Sequence, residues 1–195
     1  MSNAYRIKLS PVDASTATPR VKEPLEGARK RMGMIPNMYT RMAISPGALE
    51  TYLYGYERFR KDSGFSPAEQ EVVLLTISAE NGCEYCIAAH STLADGPSRV
   101  PREVTEAIRA GKAIPDAKLR TLSELTRAIV ATRGRPSEKD VQPFLAAGYS
   151  ERHLLELVLA VAVKTISNYV NHLFETPVDD AFKASAWSAP ARSVA

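Results

Sequence analysis

The chain has 195 residues, 45% of them hydrophobic and 24% charged, with a formal net charge of +3. That is the size and balance of one folded domain with a single good core, and it argues against a disordered chain or one that coats nucleic acid. The longest unbroken apolar run, 157-LVLAVAV-163, is far short of a membrane span and is bracketed by Glu156 and Lys164.

The first residues, MSNAYRIKLSPVD, have no apolar stretch followed by a small-residue cleavage site, so the expected compartment is the cytoplasm. Residues 1–19, rich in Ser, Thr, Ala and Pro, read as an extended arm lying on the body or on a neighbouring subunit. Residues 21–32 form a short basic helix ending at Gly33, and 37–44 form another, closed by Ser45-Pro46. In 47–64, Leu49, Tyr52, Leu53, Tyr56 and Phe59 recur at the spacing of one helix face, with Gly64 ending the helix. The aromatic group Tyr52, Tyr54, Tyr56 and Phe59 is read as core or subunit interface.

The next start is sharper. Ser66, Pro67 and Glu69 combine an N-cap, a first-turn proline and a capping-box acid ahead of a helix over 67–81. The cysteine segment follows, then helices near 101–111 and 115–133. The last two are introduced by 137-SEKD-140 and 150-SERH-153, the second leading into a long apolar helix over 151–174. No segment alternates as a strand does, so the fold class is all-α, with about eight helices. The divisions are an arm over 1–19, a helical domain over 20–176 and a polar tail over 177–195, whose Trp187 is expected to anchor on a neighbouring copy. A faint echo between Glu71-VVLL and Glu156-LVLA leaves a duplicated half open.

The chemistry concentrates in 79-AENGCEYCIAAHSTLADG-96, which holds both cysteines of the chain. If the segment is helical from about Gly82, Cys83, Cys86 and His90 share a face, and the two thiols are close enough to form and release a bond. Asn81 as N-cap with Glu84 three residues on places Cys83 in the first turn, where the helix dipole favours a thiolate. Three other readings stand beside a redox dithiol. One is a zinc site using Cys83, Cys86 and two of His90, His153 and His172. Another is plain apolar packing of both cysteines, and the third is a thioredoxin-like site, for which the required βαβ pattern is missing. A redox pair also needs a base, and Glu71 and Glu80 are the upstream candidates. Glu71, followed by apolar residues, would have its pKa raised by burial toward a proton-shuttling range.

The spacing of Glu71, Cys83-x-x-Cys86 and His90 resembles the alkylhydroperoxidase AhpD core of the carboxymuconolactone decarboxylase superfamily. The likeness is strongest over 66–96, with support from 33-GMIPNMY-39 and from 168-NYVNHLFETPVDD-180, which is similar to the tail of the peroxidase-related subgroup. The resemblance implies an all-helical fold assembled as trimers or hexamers, without metal or flavin. It implies that Cys86 attacks a peroxide, that Cys83 resolves the sulfenic acid as a disulfide, and that His90 and Glu71 relay protons. It further implies regeneration by an external dithiol, such as a lipoylated or thioredoxin-like adaptor. The family's peroxidase has histidine just before the second cysteine, where this chain has Tyr85, which can hydrogen-bond the relay but cannot carry its charge. The dipole argument favours Cys83 as the more acidic thiol, whereas the resemblance assigns attack to Cys86. Two further possibilities are the superfamily's lactone decarboxylation, which needs no thiols and for which no basic anchor is evident, and a non-enzymatic oligomer whose cysteine bond senses redox state. His172, late in an amphipathic helix, is read as packing or capping.

Overall fold

A computed structural model describes residues 4–189. Among these the chain forms nine α-helices: α1 (Pro19–Met32), α2 (Asn37–Met42), α3 (Pro46–Asp62), α4 (Pro67–Asn81), α5 (Glu84–Asp95), α6 (Arg102–Arg109), α7 (Ala117–Ala131), α8 (Glu138–Ala146) and α9 (Glu151–Phe174). A 3-10 helix, Asp180–Ser185, follows. Among the described residues no strand is present, in agreement with the all-α expectation.

α4 is the central element, buried on every side, its apolar residues Val72, Val73, Leu74, Leu75 and Ile77 joined by buried polar ones. All residues from Glu69 to Ser78 are buried, and the helix packs against α5, α6, α7 and α9. Its start is the expected capping box: Ser66 accepts from the Glu69 backbone N–H, and the Glu69 carboxylate accepts from the Ser66 N–H. Its end is Gly82, in the left-handed region at φ 67°, where a residue with a Cβ is strained.

Two apolar clusters fill the interior. One gathers Leu74, Leu75 and Ile77 with Phe59, Leu122, Leu125, Phe144 and Leu157. The other gathers Leu25, Met38, Tyr39, Met42, Leu49 and Tyr52 with Val163 and, at its inner edge, Cys83 and Cys86. α3 and α9 are pressed together where Gly55 faces Val163: a Cβ placed on Gly55 would stand 2.8 Å from Val163 Cγ2. α9 packs one face against α2, α3 and α4, and its other face leaves Leu155, Val158, Tyr169 and Leu173 exposed.

Both ends of the described chain lie on the body of the same chain. Ile7 N–H donates to the Leu173 carbonyl and Val12 N–H to that of Thr40. The C-terminal segment is more than a polar tail. Phe182 is buried in it, and the Trp187 indole donates to the Arg109 carbonyl at 2.9 Å, so the expected anchor on a neighbour is made within the chain. The expected tail residues 190–195 and arm residues 1–3 lie outside the described residues.

Candidate active site

The turn from α4 to α5 sets the cysteines. α5 starts at Glu84, two residues later than the sequence suggests, because Asn81 closes α4 and Gly82 reverses the chain. Cys83 is therefore the N-cap residue, its N–H bonded to the Ser78 carbonyl, and Cys86 is the one in the first turn. The expectation that Asn81 caps this helix fails, and the dipole argument passes from Cys83 to Cys86. Both thiols are free and almost wholly buried.

The two thiols adjoin, with Asn171 Nδ2 reaching both, and they are shifted in opposite directions. Burial raises the pKa of Cys86, but Cys83 and the nearby Lys164 and His90 outweigh it, leaving the thiol well below its usual 9.0. Cys83, beside Cys86 and buried, is pushed up. The arrangement is a thiol beside a thiolate. Asn171 reinforces it, with Nδ2 3.3 Å from Cys86 Sγ and 3.8 Å from Cys83 Sγ, and Ser167 Oγ stands 3.9 Å from Cys86 Sγ.

His90 and Glu71 are brought together as expected. His90 Nδ1 lies 2.8 Å from Glu71 Oε2, and Arg60 donates to Oε1 at 2.5 Å while holding the Tyr56 hydroxyl at 2.6 Å. Burial would raise Glu71, but His90 and Arg60 overcome it and hold the carboxyl below its usual range. The expected raised pKa is thus reversed: Glu71 is a fixed carboxylate, because its neighbours are a cation and a ring donor. His90 is lowered by burial and by Lys164, so its ring is neutral at neutral pH. An ionised Glu71 can only accept, which puts the His90 proton on Nδ1 and leaves Nε2 as a basic nitrogen.

The other candidates lie elsewhere. Glu80 pairs with Arg127 at 2.7 Å. His153 belongs to the α9 capping box and stacks near Phe65, and the exposed His172 lies against Tyr169. Tyr85 donates its hydroxyl to Asp179 at 2.5 Å, so its polar end is tied to the C-terminal segment and not to the His90 relay. Burial and Asp179 push its phenol up.

Cys86 and His90 line a pocket of about 910 Å³ walled by Tyr39, Tyr52, Tyr56 and Leu93, with Tyr54 at its exposed edge. Of the α3 aromatics, expected to be core or interface, Phe59 and Tyr52 are core, and Tyr52 and Tyr56 also line the cavity. Lys164, 1% exposed, lines the same pocket. The sequence reading passed over Lys164, Ser167, Asn168 and Asn171, although their 3-and-4 spacing marks one face of α9.

Residues 46–128 match the carboxymuconolactone decarboxylase family. No curated protein matches the sequence significantly. Among solved structures, an uncharacterised peroxidase-related protein with the alkylhydroperoxidase AhpD core, from Ralstonia eutropha JMP134, superposes with a TM-score of 0.80 at 17% identity, covering 90% of this chain and 93% of that one. A peroxidase-related protein from Silicibacter sp. TM1040 gives 0.74 at 19% identity, covering 93% and 97%. A variant of the debrominase Bmp8 in complex with 2,3,4-tribromopyrrole gives 0.74 at 16%, covering 92% and 96%. Sequence over the middle of the chain and fold over nine-tenths of it support the AhpD-like, carboxymuconolactone decarboxylase resemblance.

Proposed function

From the carboxymuconolactone decarboxylase segment at residues 46–128 and the AhpD-like fold around it, we propose that the chain is a thiol-dependent peroxidase acting on hydrogen peroxide or organic hydroperoxides. An activity of the AhpD and carboxymuconolactone decarboxylase type is supported at the level of the family and fold; the peroxide chemistry is our reading. One observation carries it: Cys86 and His90 line an organic-sized pocket, Asn171 Nδ2 touches both Cys86 and Cys83, and Glu71 holds His90 at 2.8 Å.

The Cys86 thiolate attacks the O–O bond, forming S–OH and expelling an alkoxide that leaves as alcohol once protonated. Cys83 then attacks the sulfenic sulfur, its proton passing through His90 Nε2 to the departing hydroxide, so a disulfide and water form. Glu71 keeps His90 in the tautomer that exposes Nε2, and Arg60 keeps Glu71 ionised. An external dithiol reduces the disulfide and is itself oxidised to a disulfide. The pocket opens at charged rim residues including Arg20, Arg31 and Lys61.

A second reading, thiol-dependent removal of halogen from an aromatic ring, is favoured by the tyrosine walls together with the fold shared with the debrominase. Lactone decarboxylation gains basic groups that the sequence did not reveal, Arg60 and Lys164, although Arg60 is engaged by Glu71. Counting free thiols before and after one equivalent of cumene hydroperoxide, and halide release from a bromophenol with excess dithiol, separates the readings. Rapid loss of both thiols supports the peroxidase. Fast bromide release with slow peroxide consumption supports dehalogenation, and thiol loss no faster than that of a small free thiol leaves a non-enzymatic module.

A further inference from the structure

Peroxide cleavage needs a proton at the departing oxygen, because an alkoxide is a poor leaving group and the walls beside Cys86 are buried phenols and apolar groups. The groups around Cys86 can be taken in turn. Glu71 is ionised, held by Arg60 and His90. The neutral ring of His90 has its one proton on Nδ1, directed at Glu71. Tyr85 gives its hydroxyl to Asp179. Tyr52 and Tyr56 are buried phenols whose ionisation is pushed up. The Arg60 guanidinium does not dissociate in proteins. The Cys83 proton is consumed when the sulfenic acid leaves as water.

Lys164 remains. It projects from α9 into the pocket that holds Cys86 and His90, it is 1% exposed, and among the described residues no carboxylate stands within ion-pairing distance of its ammonium. A buried ammonium without an acid partner is costly unless a negative charge faces it, and the Cys86 sulfur is the group placed to provide that charge. Both partners line the same pocket although 78 positions separate them in the sequence.

We propose that Lys164 is the general acid of the peroxide step, an assignment that rests on the thiol-peroxidase reading. The Cys86 thiolate takes the terminal hydroxyl of ROOH: the S–O bond forms, the O–O bond breaks, and the electron pair leaves on RO⁻. The Lys164 ammonium gives that oxygen its proton, so ROH departs and a neutral amine remains. The site loses one negative and one positive charge together. Reduction of the disulfide by an external dithiol returns one proton to Cys83 and one to Lys164, while Cys86 recovers its thiolate. The net charge of the pocket is constant through the cycle, so no stage leaves an isolated buried ion.

Two oxidants sharing the same attacking sulfur test this. Cumene hydroperoxide expels an alkoxide that needs a proton, whereas peracetic acid expels a carboxylate that does not. Lys164→Met should lower the rate with cumene hydroperoxide relative to peracetic acid by about 100-fold. The ratio cancels any change in the thiolate fraction. Lys164→Arg, which keeps the cation without a usable proton, should lower the ratio as far. An unchanged ratio in Lys164→Met, or a ratio restored by arginine, overturns the proposal. If neither variant folds, the wild-type protein decides. With thiolate absorbance established beforehand, dye-monitored oxidation in weak buffer should show no proton uptake per disulfide, and uptake of one proton from solvent overturns the assignment. A wild-type protein that meets both oxidants no faster than a small free thiol overturns the peroxidase reading and this assignment together, a result distinct from an altered ratio.

Discussion

Glu71 and His90, nineteen residues apart in sequence, meet at 2.8 Å as an ionised carboxylate and a neutral ring. On the thiol-peroxidase reading the pair is static: the ionised Glu71 fixes the tautomer of His90. Glu71→Gln can present an amide N–H to the ring and turn Nδ1 into the acceptor, which moves the His90 proton to Nε2. The rate of disulfide formation after hydroperoxide addition should fall by about 100-fold, read by stopped-flow thiol loss. Arg60→Met should weaken the same step by releasing Glu71 from its fixed charge.

The cysteine assignment separates two single variants. Cys83→Ser should retain fast reaction with cumene hydroperoxide and accumulate a sulfenic acid at Cys86, trapped by a dimedone-type reagent and located by mass spectrometry. Cys86→Ser should react slowly and trap none, because Cys83 is pushed toward the protonated form once burial acts on it. Trapping at Cys83 in the second variant would reverse the roles.

The pH dependence follows from the direction of the Cys86 shift. A thiol pKa lowered well below 9.0 means the thiolate is present across the neutral range and is lost only as pH falls into acid. Thiolate absorbance should therefore report one equivalent per chain at neutral pH, and the hydroperoxide rate should stay flat as pH is lowered from 9.0 to neutrality. Cys86→Ser should abolish the signal.

Where α3 and α9 are pressed together, Gly55→Ala places a methyl 2.8 Å from Val163 Cγ2. Overpacking of this kind costs about 1–3 kcal/mol, measured by urea unfolding. Adding Val163→Ala in the same chain should recover part of the loss, since it removes the atom that is met.

Asp179 accepts the Tyr85 hydroxyl at 2.5 Å and the Asn37 N–H at 3.1 Å, joining α5, the start of α2 and the C-terminal segment. Asp179→Ala leaves two donors without an acceptor and should destabilise the fold by about 1–3 kcal/mol, again read in urea.

The helix order was legible because its punctuation is local. Ser66 to Glu69, Ser137 to Asp140 and Ser150 to His153 all form the capping boxes that their spelling suggests. The start of α5 was misread because Asn81-Gly82 can either open a helix or close one, and only packing of α4 decides that Gly82 closes it. Glu71, Cys83, Cys86 and His90 were legible from their spacing, though the sign of the Glu71 shift was not, since Arg60 lies on another helix. Period alone told that Tyr52 and Tyr56 point inward but not that a cavity waits there. The stripe Lys164, Ser167, Asn168 and Asn171 is the instructive miss. A polar stripe on an apolar helix is ordinarily its wet face, and here it is the buried one.

Some of the groups that charge the sulfurs come from a distant part of the chain: Cys86, Cys83 and His90 belong to the α5 segment, whereas Lys164 and Asn171 come with α9, the last α-helix among the described residues. A nascent chain on the ribosome exposes both thiols well before those partners have been translated. Until α9 docks, Cys86 has Cys83 and His90 beside it but lacks Lys164 and Asn171, so on the thiol-peroxidase reading its full reactivity arrives only with completion of the fold.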